Sequence, residues 1–330
     1  MDIETLEKRA RVIQGTRAFF DERAYLETDT PLLAPRLIPE TCLELFGTRR
    51  LAPEGSARES RDYWLIPSPE LWMKKLIAAH RRNIYQICRC FRNGESSGHL
   101  HSPEFTMLEY YTMNAGYLES LALTEELFDF LLDRDPAQEA LRPPFLRVSM
   151  DEAFRRWAGF SLMEAESREA LAAEAQRLGI TAGPELSMET LFNLIFIHQV
   201  EPRLPKEKPV VLMDYPAFVP CLAKKKKEGN VVERWELYVN GVELANCYSE
   251  ETDPEEVRTY FEREGALKTK NALVPHDIDH DYWKIFLPRT GPDGEARPFP
   301  RCSGSALGMD RLIMVLEGKS VIDSVLPFPM

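Results

Sequence analysis

An arginine closes one strand-like run, residues 84–92, and an aromatic opens the next, residues 104–111. The flanking segments are Phe91-Arg92-Asn93 and His101-Ser102-Pro103-Glu104-Phe105, with a polar loop between them. A planar guanidinium can clamp a phosphate through paired donors, and a phenyl ring can offer its face to a purine. Arg92 and Phe105 therefore suit a nucleotide grip; they equally suit a surface hairpin with a solvated arginine and a core phenylalanine. A second segment, Gly304-Ser305-Ala306-Leu307-Gly308-Met309-Asp310-Arg311, sets small residues at alternate strand positions. Such a strand lets a ligand lie flat on the sheet. Arg311, at the start of the following helix, can stack on a base or meet phosphate charge. Tight strand–helix packing would use the same small residues. The glycine spacing fits neither a P-loop nor a dinucleotide fingerprint. Third, Glu243 and Glu250 stand seven apart, over a strand and the turn after it. Two carboxylates completed by phosphate oxygens are a common magnesium arrangement, because this hard cation needs few protein ligands. An edge strand with solvated acids is the plainer reading of that pair.

Several elements must position these residues. Apolar residues at near-helical spacing predict a helix over 3–23, followed by an extended segment ending at Pro31. Residues 62–67 read as a strand. Ser68-Pro69-Glu70 then opens a helix through Ala79, with Ser68 as N-cap and Pro69 at the first helical position. The runs 84–92 and 104–111 form a hairpin with a long loop. Residues 117–200 read as mostly helical, most clearly at 118–132 and 168–178. Strands follow at 210–213, 234–239 and 242–246, the last two joined at Asn240-Gly241. The chain closes with a helix over 251–265, a strand over 302–307 and a helix over 308–317. Four consecutive lysines, Lys224–Lys227, fall in a loop.

The 330 residues are 44% apolar and 28% charged, enough to bury a substantial core and too apolar for disorder. With 53 acidic and 41 basic side chains the formal charge is −12. Such a surface offers no general attraction to nucleic acid, so tRNA binding is not expected. The six cysteines lack metal-ligand spacing and suit a reducing compartment. No basic-then-apolar leader precedes the first helical pattern, and no apolar run approaches the ~18 residues a membrane span needs. The expectation is a soluble cytoplasmic protein with no membrane contact.

Taken together and in this order, the three segments resemble motif 2, the acidic strand pair and motif 3 of the class II aminoacyl-tRNA synthetases. The lysine subgroup is the nearest match. Motif 1 is similar too, as the helix through Phe19-Phe20 and then Tyr25-Leu26-Glu27-Thr28-Asp29-Thr30-Pro31. The resemblance spans nearly the whole chain. It implies an α+β fold with an antiparallel sheet flanked by helices: one catalytic domain over 1–330, a largely helical insertion at about 117–205, and a homodimer built on motif 1. The chain begins about where the catalytic domain would, so no anticodon-binding domain is expected. Within the subgroup, Ser68-Pro69-Glu70 and Ala306 look like those of the short paralogues that join lysine to elongation factor P, rather than of the true synthetases.

Carried over by position, the resemblance implies ATP and Mg2+ as cofactors and lysine or β-lysine as substrate. Elongation factor P is then the acceptor. Arg92 and Arg311 become catalytic. ATP contacts fall to Arg92, Glu95, His101, Phe105, Glu243, Leu244, Gly308 and Arg311. The amino acid meets Ser68, Glu70, Tyr111, Asn246, Glu250 and Ala306, and the metal meets Glu243 and Glu250. The chain departs from the family at Gly94-Glu95, where two glutamates are usual, at Ser102, where asparagine is usual, and in the lysine-rich loop 221–229. That loop suits a solvated surface, or contact with an acidic acceptor or phosphate. A minimal tRNA-aminoacylating enzyme and a non-catalytic paralogue are the competing readings.

Overall fold

The computed structural model describes residues 3–54, 59–94, 99–132, 136–291 and 293–329. The chain divides into two compact units: residues up to Ala115 together with those from Glu251, and Gly116–Glu250. The first stretch runs α1 (Ile3–Glu22), β1 (Leu26–Glu27), β2 (Leu33–Ala34), β3 (Gly47–Arg50), β4 (Arg61–Leu65), α2 (Glu70–His80), β5 (Ile84–Phe91) and β6 (Glu104–Met113). The second runs α3 (Tyr117–Leu131), β7 (Leu146–Ser149), α4 (Met150–Trp157), α5 (Arg168–Arg177), α6 (Met188–Ile195), β8 (Val210–Pro216), β9 (Val231–Val239) and β10 (Val242–Ser249). The third runs α7 (Pro254–Asn271), the short strands β11 (Arg289–Thr290) and β12 (Ala296–Arg297), β13 (Cys302–Gly308) and α8 (Met309–Leu316). Mostly antiparallel strands flanked by helices make this the expected α+β fold.

In the first unit β1 pairs parallel with β5, β5 antiparallel with β6, and β6 antiparallel with β13. One face of these strands packs on α1. There Phe20 lies 4.9 Å from the ring of Tyr85 and 5.1 Å from that of Tyr110, and Phe19 and Phe20 are fully buried. Strand alternation sends the neighbouring side chains to the other face. That face carries Phe105, Met107, Glu109 and Tyr111 of β6, with Gly308, Ala306 and Gly304 of β13 opposite Met107, Glu109 and Tyr111.

A buried ion pair ties α1 to the start of α8. Arg9 Nη1 is 2.6 Å from Asp310 Oδ1, Arg9 Nη2 donates to Thr106 Oγ1 at 3.0 Å, and the Thr106 amide donates to Asp310 Oδ2 at 2.6 Å. Both charges are almost wholly buried, so removing one leaves the other without its counter-ion. Arg9→Met is expected to destabilise the chain by about 3 kcal/mol, read as a lower urea midpoint at unchanged slope.

In the second unit β10 pairs antiparallel with β9, β9 antiparallel with β8, and β8 parallel with β7. Helices α4 and α6 supply its core: Phe154 and Phe192 stack at 5.3 Å over Val210 and Leu212. The turn joining β9 to β10 has positive φ at both Asn240 (54°) and Gly241 (79°), as the Asn-Gly pair predicts. The expected insertion at 117–205 falls within this unit.

Several boundaries differ from the sequence reading; strands β8, β9 and β10 are each three residues longer than expected. Helix α2 begins at Glu70 with Pro69 as its N-cap residue, one position later than expected. The Ser68 hydroxyl still accepts from the Glu70 amide at 3.4 Å. Helix α7 runs on to Asn271 and starts at Pro254, capped by Asp253, whose Oδ1 accepts from the Glu255 amide. Strand β7 lies inside the stretch expected to be helical. Its four residues are too few to show a period, and pairing with β8 rather than local propensity makes it a strand. No helix among the described residues is long and apolar enough to cross a membrane.

Candidate active site

The inner face of the first unit collects most of the residues expected to do chemistry. Arg92 follows β5, and its amide donates to the Pro103 carbonyl at 3.1 Å, closing the neck of the loop. Its guanidinium lies 5.3 Å from the centre of the Phe105 ring, so the two grip residues are neighbours. Asn93 pins the other side of that neck, its amide donating to the Glu44 carbonyl at 2.9 Å. Gly94 stands where the family usually has glutamate and adopts φ +71°, a conformation glycine accepts without strain. Glu95 lies outside the described residues. His101 ends the loop, half-buried, and Ser102 is buried, so the hydroxyl in the usual asparagine position faces inward. Arg311 leaves the first turn of α8 and donates from Nε to the Leu100 carbonyl at 3.1 Å, joining helix to loop. Gly308 and Ala306 lie on the same sheet face as Phe105, leaving space above the strand where larger side chains would stand.

Carboxyls gather at the other end of that face. Glu70 Oε1 accepts from the fully buried Lys74 at 2.5 Å. Glu109, only 3% exposed, accepts from the Tyr111 hydroxyl at 2.7 Å, while its Oε2 is buried and makes no hydrogen bond. Burial, and then the negative charge of Glu70, push the Glu109 carboxyl well above the usual carboxylate range; the Tyr111 bond opposes this. Half-buried Glu40 is pushed up to about 7, again by burial first and Glu70 second, against the pull of Arg92, Lys268 and Lys74. Glu70 is thus the common neighbour of two carboxyls that burial holds towards their neutral form. A cationic guest would reverse that balance, because a nearby positive charge favours the ionised carboxylate.

Glu40 gives this arrangement a measurable signature. Its folded value of about 7 exceeds the ordinary 4.5, so in that window the native state holds a proton that the unfolded chain releases. Stability must fall as pH rises from about 4.5 to about 7, by about 3 kcal/mol from this group. Glu40→Gln is expected to flatten that slope and raise the melting temperature above pH 7, as thermal unfolding across pH would record.

The acidic strand lies in the second unit. A β-bulge between Glu243 and Ala245 shifts the register of β10 on β9. Glu243 then sits opposite Tyr238 and Asn246 opposite Glu236, two partners of like parity on β9. Regular alternation would send residues seven apart to opposite faces. The bulge instead brings Glu243, Asn246 and Glu250 to one face. Leu244 is the residue left out of the ladder; its side chain is buried, so only its backbone can meet a ligand. Lys226 is no freely solvated loop residue, since its ammonium lies 2.7 Å from Asp214, which also accepts from the Tyr117 hydroxyl.

Sequence reasoning missed Glu109, Lys74 and Arg234. The signal for Glu109 was present: a lone carboxyl inside the strand Glu104–Met113, in step with Phe105 and Tyr111. Arg234 carried none, because a charged residue near a strand end usually faces water. Here its guanidinium bonds Glu236 at 2.6 Å and Asn246 at 3.2 Å.

The family described as tRNA synthetases class II (D, K and N) matches residues 3–330. Proteins named elongation factor P--(R)-beta-lysine ligase are similar over nearly all of the chain. That of Avibacterium paragallinarum is 34% identical over 327 residues, 99% of this chain and 95% of the relative. That of Proteus mirabilis is 36% identical over 331 residues, 99% and 95% of the two chains. That of Vibrio vulnificus is 36% identical over 330 residues, 99% and 96% of the two chains.

Proposed function

The chain belongs to the class II tRNA synthetases of the D, K and N group, and on that premise we propose that it is an elongation factor P lysine ligase. It uses ATP to activate a lysine-type amino acid, (R)-β-lysine, as the adenylate, and transfers the acyl group to a lysine side chain of elongation factor P. The observation that carries this reading is the Glu70–Glu109 pair. A carboxyl buried beside a second carboxyl with one oxygen unbonded suits a substrate that brings its own ammonium group. The name shared by the relatives supports a protein acceptor rather than tRNA.

The roles follow residue by residue. Glu70 and Glu109 would hold the distal ammonium, with Tyr111 fixing the Glu109 carboxylate and Ser68 holding the backbone turn that presents Glu70. Ala306 would narrow the floor of the amino-acid pocket relative to glycine. Phe105 would lie under the adenine and Arg311 over it, with Gly308 allowing close approach and His101 near the phosphates. Arg92 would meet the α-phosphate with paired donors. Asn246 and Glu250 would orient the amino acid, and the Leu244 backbone and Glu243 would face ATP. The donor set Glu243 and Glu250, two hard carboxylates brought to one face by the bulge, fits magnesium. Bound there with phosphate oxygens, the cation would supply charge neutralisation.

Activation needs no protein nucleophile. The substrate carboxylate attacks the α-phosphorus and pyrophosphate leaves; the neutral amine of the acceptor then attacks the adenylate carbonyl and AMP leaves. The protein contributes alignment and fixed positive charge where negative charge grows. The same reading has the chain act as a cytoplasmic homodimer. Intact-mass measurement of elongation factor P after incubation with the enzyme, ATP and (R)-β-lysine tests it. A gain of one lysyl group, lost when the acceptor lysine is replaced by arginine, is the expected result; an unmodified factor beside acylated tRNA contradicts it.

A further inference from the structure

Asn246 is held by a charge network that no family role explains. Arg234 stands on β9, with Glu236 two residues on and Tyr238 two beyond that, all facing the side that carries Glu243 and Asn246. Its Nη2 donates to Glu236 Oε1 at 2.6 Å, and the second oxygen of Glu236 accepts from the Tyr238 hydroxyl at 2.8 Å. The guanidinium lies 4.5 Å over the ring of Tyr215. Its remaining direction is used on Asn246: Arg234 Nε donates to Asn246 Oδ1 at 3.2 Å. The pair is largely buried, with 13% and 11% of the two charged side chains exposed. Burial raises the Tyr215 and Tyr238 hydroxyls well above their ordinary range, with the Glu236 charge second, so both remain neutral.

An asparagine amide has one accepting end and one donating end, and it can ordinarily present either. An arginine has only donors, so the end it holds must be the carbonyl oxygen. Reversing the amide would set its NH2 group against the guanidinium and leave Nε without an acceptor, in a site where an unmade bond is costly.

We propose that Arg234 is a positioning residue for the amino-acid substrate: it fixes the Asn246 amide so that its N–H donors, and not its oxygen, are presented to the substrate carboxylate. The assignment rests on the proposed activation of a lysine-type amino acid. It makes this face of β10 selective for an anionic group. Glu236 and Tyr238 act one step further back, holding the guanidinium in plane.

Pyrophosphate exchange in three variants tests the assignment. Arg234→Lys keeps a positive charge for Glu236 but cannot also hold Asn246 in the same geometry. It is expected to raise the KM for the amino acid about tenfold, leave that for ATP within about twofold, and add nothing further in an Asn246→Ala background. Equal rises for both substrates, or full additivity with Asn246→Ala, would overturn the proposal. Asn246→Asp guards against a misfolded arginine variant. It keeps the acceptor that Arg234 needs, so its melting temperature should equal or exceed wild type, while loss of the donors raises the amino-acid KM at least as far as Asn246→Ala does. A wild-type KM in Asn246→Asp would refute the donor role. Failure of the underlying activity is seen separately, as wild-type protein that exchanges pyrophosphate with neither α-lysine nor (R)-β-lysine, and it removes the assignment as well.

Discussion

Arg311→Ala is expected to reduce lysine-dependent pyrophosphate exchange by about a thousandfold while the protein stays folded. The guanidinium leaves the first turn of α8 at the end of the small-residue strand, half-buried and braced on the Leu100 carbonyl. In the proposed roles it covers the adenine, and from there its donors can meet phosphate charge as it moves towards pyrophosphate. A fixed donor aimed at developing charge contributes about 3–4 kcal/mol, which is the predicted loss. The structural penalty is far smaller, because one hydrogen bond to a loop carbonyl is worth about 1 kcal/mol. Melting within a few degrees of wild type, with exchange nearly abolished, is the expected pair of results. Exchange near the wild-type rate would remove Arg311 from the site.

Glu109→Gln should separate the two substrates most cleanly. The carboxyl is buried and held towards its neutral form in the free protein, and glutamine matches that form in shape and lacks a charge. Folding should be preserved, and stability at neutral pH should be equal or higher. Binding of a cation is another matter. A buried carboxylate facing an ammonium contributes a charge-assisted bond that an amide cannot replace. The KM for the lysine-type substrate is expected to rise about 100-fold, or about 2.7 kcal/mol, with that for ATP within about twofold. Glu70→Gln should act in the same direction, with a further loss of stability because buried Lys74 loses its charged partner at 2.5 Å. Equal losses for ATP and amino acid in Glu109→Gln would mean that the carboxyl supports the sheet rather than the substrate.

Glu109 lies on strand β6 and Arg311 on the helix that follows strand β13; both strands had an alternation legible in the sequence, and the difference between the two residues shows where legibility stopped. Arg92, Phe105, Gly308 and Arg311 could be found because their types recur at strand ends and alternate positions, which the registers of β5, β6 and β13 realise. Glu109 shares that alternation yet was hidden by its apolar neighbours, since a lone acid in such a run reads as a strand exposed on one side. Glu243 and Glu250 could be named, but their odd spacing argues against a shared face in a regular strand. Only the bulge at Leu244 reconciles them, and a bulge depends on register with a partner strand rather than on local propensity. Strand β7 failed for the same reason. The lysine run illustrates the converse: four like charges suggest a solvated loop, but the Lys224 amide and carbonyl bond Ser249 and Glu233, and Lys226 pairs with Asp214.

The most direct test of the central claim is amino-acid-dependent ATP–pyrophosphate exchange with α-lysine and with (R)-β-lysine, followed by transfer of the labelled acyl group to elongation factor P or to tRNA in the same reaction. Faster exchange with (R)-β-lysine and label on the protein is the predicted result. Label on tRNA, or exchange with neither amino acid, would contradict it.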